Sequence, residues 1–233
     1  MPGRVMKGRL EILCDFDGTI APIDTVDFLL ERLADPAWRL FEEQWIRGEI
    51  DSRECMTAQV ALLRGGWRAI RRALEDVRLD PSFAAFAAWC HASRIPLRVV
   101  SEGIEQVITH LLRREGVLVD EVWAPRLSEG SNGALQLRPP AAGGTLCGAV
   151  LCKCASVTTD ASPPFRVLIG DGRSDFCISR RADLVFACSK LAIHCEQNDI
   201  PFVPFLGFDT VRRLLEQRRT SFPRVVEPMR TLS

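Results

Sequence analysis

The sequence predicts an α/β fold in which a parallel sheet carries helices on both faces and a helical insertion follows the first strand. Beyond residue 96, short apolar runs typical of buried strands alternate with helical segments. Strands that alternate with helices in this way form parallel sheets. Between residues 24 and 94, helical patterns follow one another with no strand pattern between them, directly after the apolar run LEILC at 10–14.

The chain of 233 residues is long enough for one large domain that carries a smaller one. We predict a Rossmann-like core formed by residues 1–21 and 95–220 and a helical cap formed by residues 22–94. Residues 221–233 form a proline-containing tail, which we expect to be loosely ordered.

Start and stop signals divide the insertion into helices. The stretch TVDFLLERLADPAWRLFEEQWIRGEI has apolar residues at three- and four-residue spacing, interrupted by a proline and a glycine. A capping pair, Asp51 or Ser52 with Glu54, begins the next helix, which ends at the following pair of glycines. The last helix has Asp80 as its predicted cap and Pro81 at its first position.

The second half of the chain supplies the remaining elements. The predicted strands are PLRVVS, VDEVWAP, FRVLIGDG, ADLVFAC and IPFVPF, and RLSEGSNGALQLRPP is predicted to form a hairpin that turns at residues 131–133. The predicted helices are GIEQVITHLLRREG, GAVLCKCAS, RSDFCISRR, KLAIHCEQND and DTVRRLLEQRR.

Composition excludes several classes of partner. Thirty Lys and Arg balance thirty Asp and Glu, so no net charge favours nucleic acid. We find no apolar stretch long enough for a signal peptide or a membrane span, and therefore expect a cytoplasmic protein without a membrane partner. In that compartment the nine cysteines are expected to be reduced. The oligomeric state is open between monomer and homodimer.

The stretch LEILCDFDGTIAP places two aspartates, Asp15 and Asp17, directly after the first strand. Side chains two residues apart in a strand point the same way, so the two carboxylates are expected to be neighbours. Such a pair is unfavourable unless a cation lies between them. Aspartate is also a common turn and capping residue, so this stretch alone leaves a cation site and an elaborate turn equally open.

Polar clusters end two further strands, at VVSEG and LIGDGRSD. Ligands of open parallel sheets bind outside the carboxyl ends of the strands, so the three clusters are expected to converge. Carboxylate oxygens suit Mg²⁺, and the start of the helix after Ser101 favours a phosphate. The converging candidates are Asp15, Asp17, Thr19, Ser101, Asp171 and Asp175, with Lys153 on the predicted helix between the second and third clusters.

The segments DFDGT, VVSEG, the isolated Lys153 and GDGRSD resemble the four ordered motifs of haloacid dehalogenase superfamily phosphatases. The insertion after the first motif resembles the cap of the phosphoserine-phosphatase-like branch. The resemblance extends from about residue 10 to 215. It implies a Mg²⁺-dependent phosphatase that acts on a small phosphorylated metabolite through an aspartyl-phosphate.

The resemblance also implies a role for each motif residue. Asp15 is the expected nucleophile, and Asp17 is the acid that protonates the leaving oxygen and then activates water. Magnesium is expected on Asp15, the backbone carbonyl of Asp17, and Asp171, with Asp175 outside this set of ligands, where it orients either metal-bound water or Lys153. The expected phosphate contacts come from Thr19, Ser101, Gly103 and Lys153.

The substrate is less closely defined. Asp24 stands where phosphoserine phosphatases have an acidic residue that binds substrate, but Thr57 stands where we expect their cap arginine. FDGTI, DTVDFLLERLADPAW and the later CKC are more similar to phosphatases of 2-hydroxy-3-keto-5-methylthiopentenyl-1-phosphate, an intermediate of methionine salvage. Phosphoserine phosphatase, a phosphotransferase and a non-catalytic binding protein remain alternatives.

Two features have no role in this scheme. Cys147, Cys152 and Cys154 resemble a metal knuckle, but no matching second cluster follows, and buried apolar cysteines are the favoured interpretation. Glu102 lies within the second motif, and the sequence does not define its role.

Overall fold

The computed structural model describes residues 9–130, 134–140, 149–157 and 163–220. Six parallel strands form one sheet in the order β3-β2-β1-β6-β7-β8, which confirms the predicted α/β class. The six strands are β1 Leu10–Cys14, β2 Leu97–Val100, β3 Glu121–Trp123, β6 Phe165–Gly170, β7 Leu184–Ala187 and β8 Phe202–Pro204. A separate antiparallel pair consists of β4 Arg126–Glu129 and β5 Leu135–Arg138.

The two central strands are mostly apolar on both faces, as expected where helices cover both sides of a sheet, although each carries one charged residue, Glu11 or Arg166. All six residues of β6 are buried, and β1 pairs with β6 along its whole length, from Leu10 opposite Phe165 to Cys14 opposite Ile169. Ile12 contributes to the larger hydrophobic cluster, whereas its neighbour Leu13 belongs to a second one. The pairing places the ends of β1 and β6 side by side.

Nine α-helices lie within the described residues. They are α1 Thr25–Leu33, α2 Trp38–Ile46, α3 Ser52–Ala61, α4 Gly66–Ala73, α5 Phe83–Ala92, α6 Glu105–Arg114, α7 Phe176–Ser179, α8 Ser189–Gln197 and α9 Phe208–Thr220. Asp51 caps α3, and its reciprocal hydrogen bonds with Glu54 confirm the predicted capping pair. The prediction of Asp80 as the cap of α5 was wrong, because Ser82 holds the N-cap position. Asp80 Oδ1 instead accepts hydrogen bonds from the N–H and the hydroxyl of Ser82.

Helices α1 to α4 form the insertion that we predicted as a cap. The chain leaves the core near Ile20 and returns near Asp80, where Asp80 N donates a hydrogen bond to Ile20 O at 2.8 Å. Helix α5 packs against β2 and α9, and the rings of Phe86 and Phe208 lie 5.2 Å apart between centroids. The domain limits remain a prediction, and this packing favours a cap that ends before α5.

The hairpin β4–β5 is antiparallel, as predicted, and β5 packs against α3 of the insertion. The turn expected at residues 131–133 lies outside the described residues, as do the tail at 221–233 and Cys147. The helix predicted for GAVLCKCAS was too long, because residues 149–152 are irregular and a single 3-10 turn covers Lys153–Ser156. Among the described residues, no helix combines the length and apolar character that a membrane span requires.

Candidate functional site

The strand ends of β1, β2 and β6 meet at one edge of the sheet, where the sequence places its polar clusters. Asp15 directly follows β1, and the residue is only 5% exposed. Its Oδ1 accepts hydrogen bonds from Phe16 N and from Lys153 Nζ, each at 2.7 Å. The chain then turns sharply at Gly18, whose φ of +76° favours glycine.

Lys153 lies between two buried carboxylates. Its Nζ is 2.7 Å from Asp15 Oδ1 and 2.8 Å from Asp175 Oδ1, and the lysine is 1% exposed. Burial by itself lowers the pKa of Lys153, but the two carboxylates raise it above its usual value. The ammonium group therefore stays protonated and offsets one of the two negative charges.

Asp175 organises the loop that follows β6. Its Oδ2 accepts hydrogen bonds from Asp171 N and Gly172 N, both at 3.2 Å, while its Oδ1 accepts from Lys153. Both oxygens are thus engaged by the protein itself. The residue is fully buried, so it holds the loop and the lysine in place.

Three carboxylates converge here, and the single ammonium of Lys153 cannot balance their negative charge. Oxygens of Asp15, Asp171 and Asp175 lie within 4.8 Å of one another. Burial, followed by repulsion from Asp175, raises the pKa values of Asp15 and Asp171. Thr19 Oγ1 donates a hydrogen bond to Asp171 Oδ1 at 3.1 Å. An all-oxygen set with excess negative charge fits Mg²⁺, for which Asp15 and Asp171 are the available carboxylates.

Glycines allow these carboxylates to approach the backbone closely. A β-carbon at Gly18 would overlap the carboxylate of Asp171, and one at Gly170 would overlap that of Asp175. At Gly103 a β-carbon would lie 2.5 Å from Asp17 Oδ2. Any other residue at these three positions would displace an acid of the site.

Asp17 is held in a different way from Asp15. Its Oδ1 accepts hydrogen bonds from Thr25 N at 2.7 Å and Thr25 Oγ1 at 2.6 Å. Burial and the nearby Asp24 raise the pKa of Asp17 to about 7, although the two bonds from Thr25 oppose this shift. The carboxyl group can therefore carry a proton near neutral pH, as a general acid must.

The segment after β2 forms another wall of the site. Ser101 is buried, and its Oγ accepts a hydrogen bond from Gly103 N at 3.0 Å, which leaves its hydroxyl proton available for an anion. Glu102 Oε1 is buried without a hydrogen-bond partner among the described residues. Burial raises the pKa of Glu102 above its usual value.

The site opens into a cavity of about 510 Å³ between the strand ends and the insertion. Its floor includes Asp15, Asp17 and Asp171, and its opposite wall is formed by α1, α2 and α3. The wall side chains are Asp24, Val26, Asp27, Glu42, Trp45, Ser52, Cys55, Met56 and Gln59. The cavity therefore has an acidic floor and a wall that mixes carboxylates with apolar groups.

The predicted specificity residue Asp24 lines this cavity, but it also caps α1. Its Oδ1 accepts hydrogen bonds from Val26 N and Asp27 N, both at 2.9 Å. The cations among the described residues that line the cavity are Arg173, in the turn after β6, and Lys190, in α8, so both belong to the core rather than to the insertion. Arg173 lies 5.8 Å from the ring centroid of Trp45, so it joins the core to the insertion.

Most of the candidate residues converge, although not all of them reach the cavity. Asp15, Asp17, Ser101, Gly103 and Asp171 line it, as does Asp24. Lys153, Asp175 and Thr19 lie behind this surface and contact the lining carboxylates instead. Their roles in phosphate binding and metal binding stay predictions.

Sequence reasoning missed Thr25 and the cavity cations. Thr25 begins α1, so its sequence signal is that of an ordinary first helical residue after a cap. Lys190 and Arg173 stand in α8 and in the fourth motif, among many other basic residues. Only the packing of the insertion over the strand ends distinguishes these three from surface residues.

The chain belongs to the haloacid dehalogenase-like hydrolase family, since the family model of that description matches residues 12–180. The predicted enzyme class, a phosphatase of this family, is confirmed, because the curated relatives bear phosphatase names.

One such relative is the 2-hydroxy-3-keto-5-methylthiopentenyl-1-phosphate phosphatase of Geobacillus thermodenitrificans (strain NG80-2). It is 28% identical over 208 residues, which cover 87% of this chain and 94% of the relative. The protein of the same name from Brevibacillus brevis (strain 47 / JCM 6285 / NBRC 100599) is 29% identical over 217 residues, with 91% and 97% covered.

A solved structure of phosphoserine phosphatase with bound substrate has the same fold. It matches with a TM-score of 0.61 and 20% identity, and the match covers 91% of this chain and 98% of that one.

Proposed function

We propose that this protein hydrolyses a small phosphate monoester with Mg²⁺ and through an aspartyl-phosphate on Asp15. The observation that carries the proposal is the convergence of Asp15, Asp17, Asp171 and Ser101 on one cavity, with Lys153 buried against the first of them. A bound Mg²⁺ would shield the phosphate from the carboxylates and polarise its oxygens. Asp15, Asp171 and the carbonyl of Asp17 are the groups that would hold it.

Asp15 supplies the nucleophile in this scheme. Lys153 and Phe16 N hold Oδ1, so Oδ2 is the oxygen that we assign to attack on phosphorus. These two fixed contacts orient the carboxylate before substrate arrives, which is the main requirement for in-line attack. The new bond joins Asp15 Oδ2 to phosphorus, and the bond from phosphorus to the leaving-group oxygen breaks.

Asp17 supplies the proton that the leaving oxygen requires. With a pKa of about 7, a substantial fraction of its carboxyl groups is protonated at neutral pH. After the leaving group departs, the resulting carboxylate accepts a proton from water, which attacks the aspartyl-phosphate and regenerates Asp15. Thr25 fixes the carboxyl group through both steps.

Ser101 and Lys153 stabilise the phosphoryl group as its charge is redistributed. Ser101 has a hydroxyl proton available at the cavity floor, and the ammonium of Lys153 lies behind Asp15. Both groups are buried, so their interaction with charge is weakly screened. Thr19 Oγ1 holds Asp171 through a hydrogen bond, and the contact of Thr19 with phosphate stays a prediction.

For the substrate we propose a methylthio keto-phosphate of the kind named for the curated relatives. Trp45, Met56 and Val26 offer an apolar surface on the wall, suited to a methylthio group. Phosphoserine is the second candidate. Its carboxylate would face Asp24, Asp27 and Glu42 on the insertion, and none of the described wall residues there is an arginine.

The test is phosphate release from a panel that contains phosphoserine, sugar phosphates and 2-hydroxy-3-keto-5-methylthiopentenyl-1-phosphate, with and without Mg²⁺. We expect Mg²⁺-dependent release, fastest for the methylthio compound, and its loss by more than about a thousandfold in Asp15→Asn. Full activity of the variant would overturn the assigned nucleophile. Transfer of the phosphoryl group to an added alcohol rather than to water would instead identify a phosphotransferase.

A further inference from the structure

Three cysteine side chains converge beside the buried lysine. Cys152 and Cys154 flank Lys153, and Cys177 belongs to α7, which is separated from them in sequence. Their sulfur atoms lie within 4.8 Å of one another. Two distinct segments of the chain thus bring thiols to a single point.

The surroundings of this cysteine cluster differ from those of the acidic site. Cys152 is fully buried, Cys154 is 6% exposed, and Cys177 is partly exposed, which gives the cluster an approach from solvent. Leu151 and Ile178 belong to the hydrophobic cluster around it. None of the three cysteines lines the catalytic cavity, so the two sites are separate.

We propose that Cys152, Cys154 and Cys177 form a binding site for a soft divalent cation, Zn²⁺. Thiolates are the preferred protein ligands of this ion, and three of them leave a fourth position for water or a further ligand. Binding would release the thiol protons to solvent as the sulfur–metal bonds form.

The separation of two of the sulfurs fits neither a disulfide bond nor a zinc-bound pair, so the choice between them depends on the third sulfur. Cys152 Sγ and Cys154 Sγ lie 2.7 Å apart. A disulfide bond requires about 2.05 Å, and two sulfurs on one tetrahedral Zn²⁺, with bonds of about 2.3 Å, lie about 3.8 Å apart. A disulfide would join two of the three sulfurs and leave the approach of Cys177 unexplained. A shared cation accounts for all three, after a side-chain rotation that separates the close pair.

Such a cation would fix the backbone that carries Lys153. The 3-10 turn is already tied down by Ser156 Oγ, which donates to Lys153 O at 2.7 Å, and by Arg181 Nη1, which donates to Cys154 O at 3.2 Å. A metal bridge from both neighbours of Lys153 to α7 would join this turn to the helix that follows Asp175. The lysine and its carboxylate partner would then be held by one rigid unit.

The experiment measures metal content and cobalt spectra on the full chain, purified under reducing and oxygen-free conditions in excess Mg²⁺. We expect about one Zn²⁺ per chain. Substituting Co²⁺ should give the strong near-ultraviolet absorption of sulfur–cobalt bonds, which the carboxylates of the acidic site cannot produce. Cys177→Ser should weaken Zn²⁺ binding by at least about a hundredfold, since even the loss of an outer contact costs ten- to a hundredfold.

Cys188→Ser is the matched control, because Cys188 is partly exposed, like Cys177, but lies outside the cluster. It should retain both the zinc and the cobalt absorption. If Cys177→Ser does not fold, Cys154→Ser and the cobalt spectrum of the parent chain provide the test. Reduced protein that binds no Zn²⁺, a Cys152–Cys154 disulfide in its place, or zinc retained equally in Cys177→Ser would each overturn the proposal.

Discussion

The two ends of the cavity are built in opposite ways. At the floor and directly behind it, Asp15, Lys153 and Asp175 are at most 5% exposed and are joined by contacts of 2.7 and 2.8 Å. On the opposite wall, Asp24 and Asp27 are exposed, and Trp45 is only partly buried. The floor consists of strand ends held by the sheet, whereas the wall consists of helix faces from the insertion.

This difference suits the floor to the chemical step and the wall to the choice among substrates. A buried, pre-oriented set of charges can stabilise a transition state without rearrangement, which favours the rigid floor for phosphoryl transfer. An open wall of helices can close over different leaving groups, so it is the natural place for specificity. Substitutions at the floor should therefore abolish turnover of every substrate, and substitutions on the wall should alter the preference among substrates.

After Asp15→Asn, the largest effect on turnover is expected from Lys153→Met. Loss of the ammonium leaves Asp15 and Asp175 as an unpaired buried couple, so kcat should fall by about a hundred- to a thousandfold. Breaking a buried ion pair also costs about 3–5 kcal/mol of stability. Steady-state kinetics and thermal unfolding would measure the two effects.

A double variant separates catalysis from folding. Lys153→Met with Asp175→Asn removes one of the two unpaired charges, so Tm should partly recover while kcat stays low. If the single variant turned over at the parent rate, Lys153 would have no part in the reaction.

A smaller loss of kcat is expected from Gly103→Ala. The new methyl group would lie 2.5 Å from Asp17 Oδ2 and 3.2 Å from Ser101 Oγ, so the carboxyl group must move. A displacement of this size costs about a hundredfold in kcat. Gly172→Ala is the matched control, since a methyl group there meets only Ser174 Oγ, at 3.9 Å. Equal losses in the two variants would contradict the steric explanation.

Trp45→Ala tests whether the wall determines the preference among substrates. Loss of its apolar surface should lower kcat/KM for the methylthio keto-phosphate by about tenfold. Acetyl phosphate does not reach the wall, so its hydrolysis should change little. A parallel loss for both substrates would show that Trp45 acts on the floor, through Arg173, rather than on selection.

The smallest effect concerns Asp27, an exposed acid whose pKa is raised to about 7 because the cavity wall shields part of the side chain from water and because Asp24 and Glu42 repel its charge. The folded chain then binds more protons than the unfolded chain between about pH 4 and 7, so its stability falls as the pH rises through this window. Asp27→Asn should remove that dependence and raise Tm above pH 7. The gain should be no more than about 2–4 °C, because solvent reaches this side chain.

Thermal unfolding at pH 4 and pH 8 measures the effect, with Asp199→Asn as the control at an exposed acid. Asn is tolerated at the positive φ of this position. A stability difference between Asp27→Asn and the parent that is the same at both pH values would contradict the assignment.

Local sequence patterns were sufficient to predict the parallel sheet and the succession of strands and helices along the chain. They also predicted which acids lie at the floor of the cavity. Apolar runs such as LEILC and FRVLIG are strands because they are buried on both faces, and polar residues after such strands must lie at one edge of a parallel sheet. Asp15, Asp17, Ser101 and Asp171 could therefore be identified from the amino-acid sequence alone. The prediction of each of these residues depends only on its position directly after an apolar strand.

Contacts between distant segments establish which helical residues face the floor and which side chains pair across the chain. Thr25 reaches Asp17, and Cys177 reaches the cysteines around Lys153. The contact of Lys153 with Asp175 was one of the two alternatives that the family resemblance implied, and the structure shows it. Local periodicity reports which face of a helix is apolar, but not what that face covers. The packing of segments distant in sequence therefore had to reveal these pairs, and the same packing placed α5 against the sheet and shortened the helix predicted around Lys153.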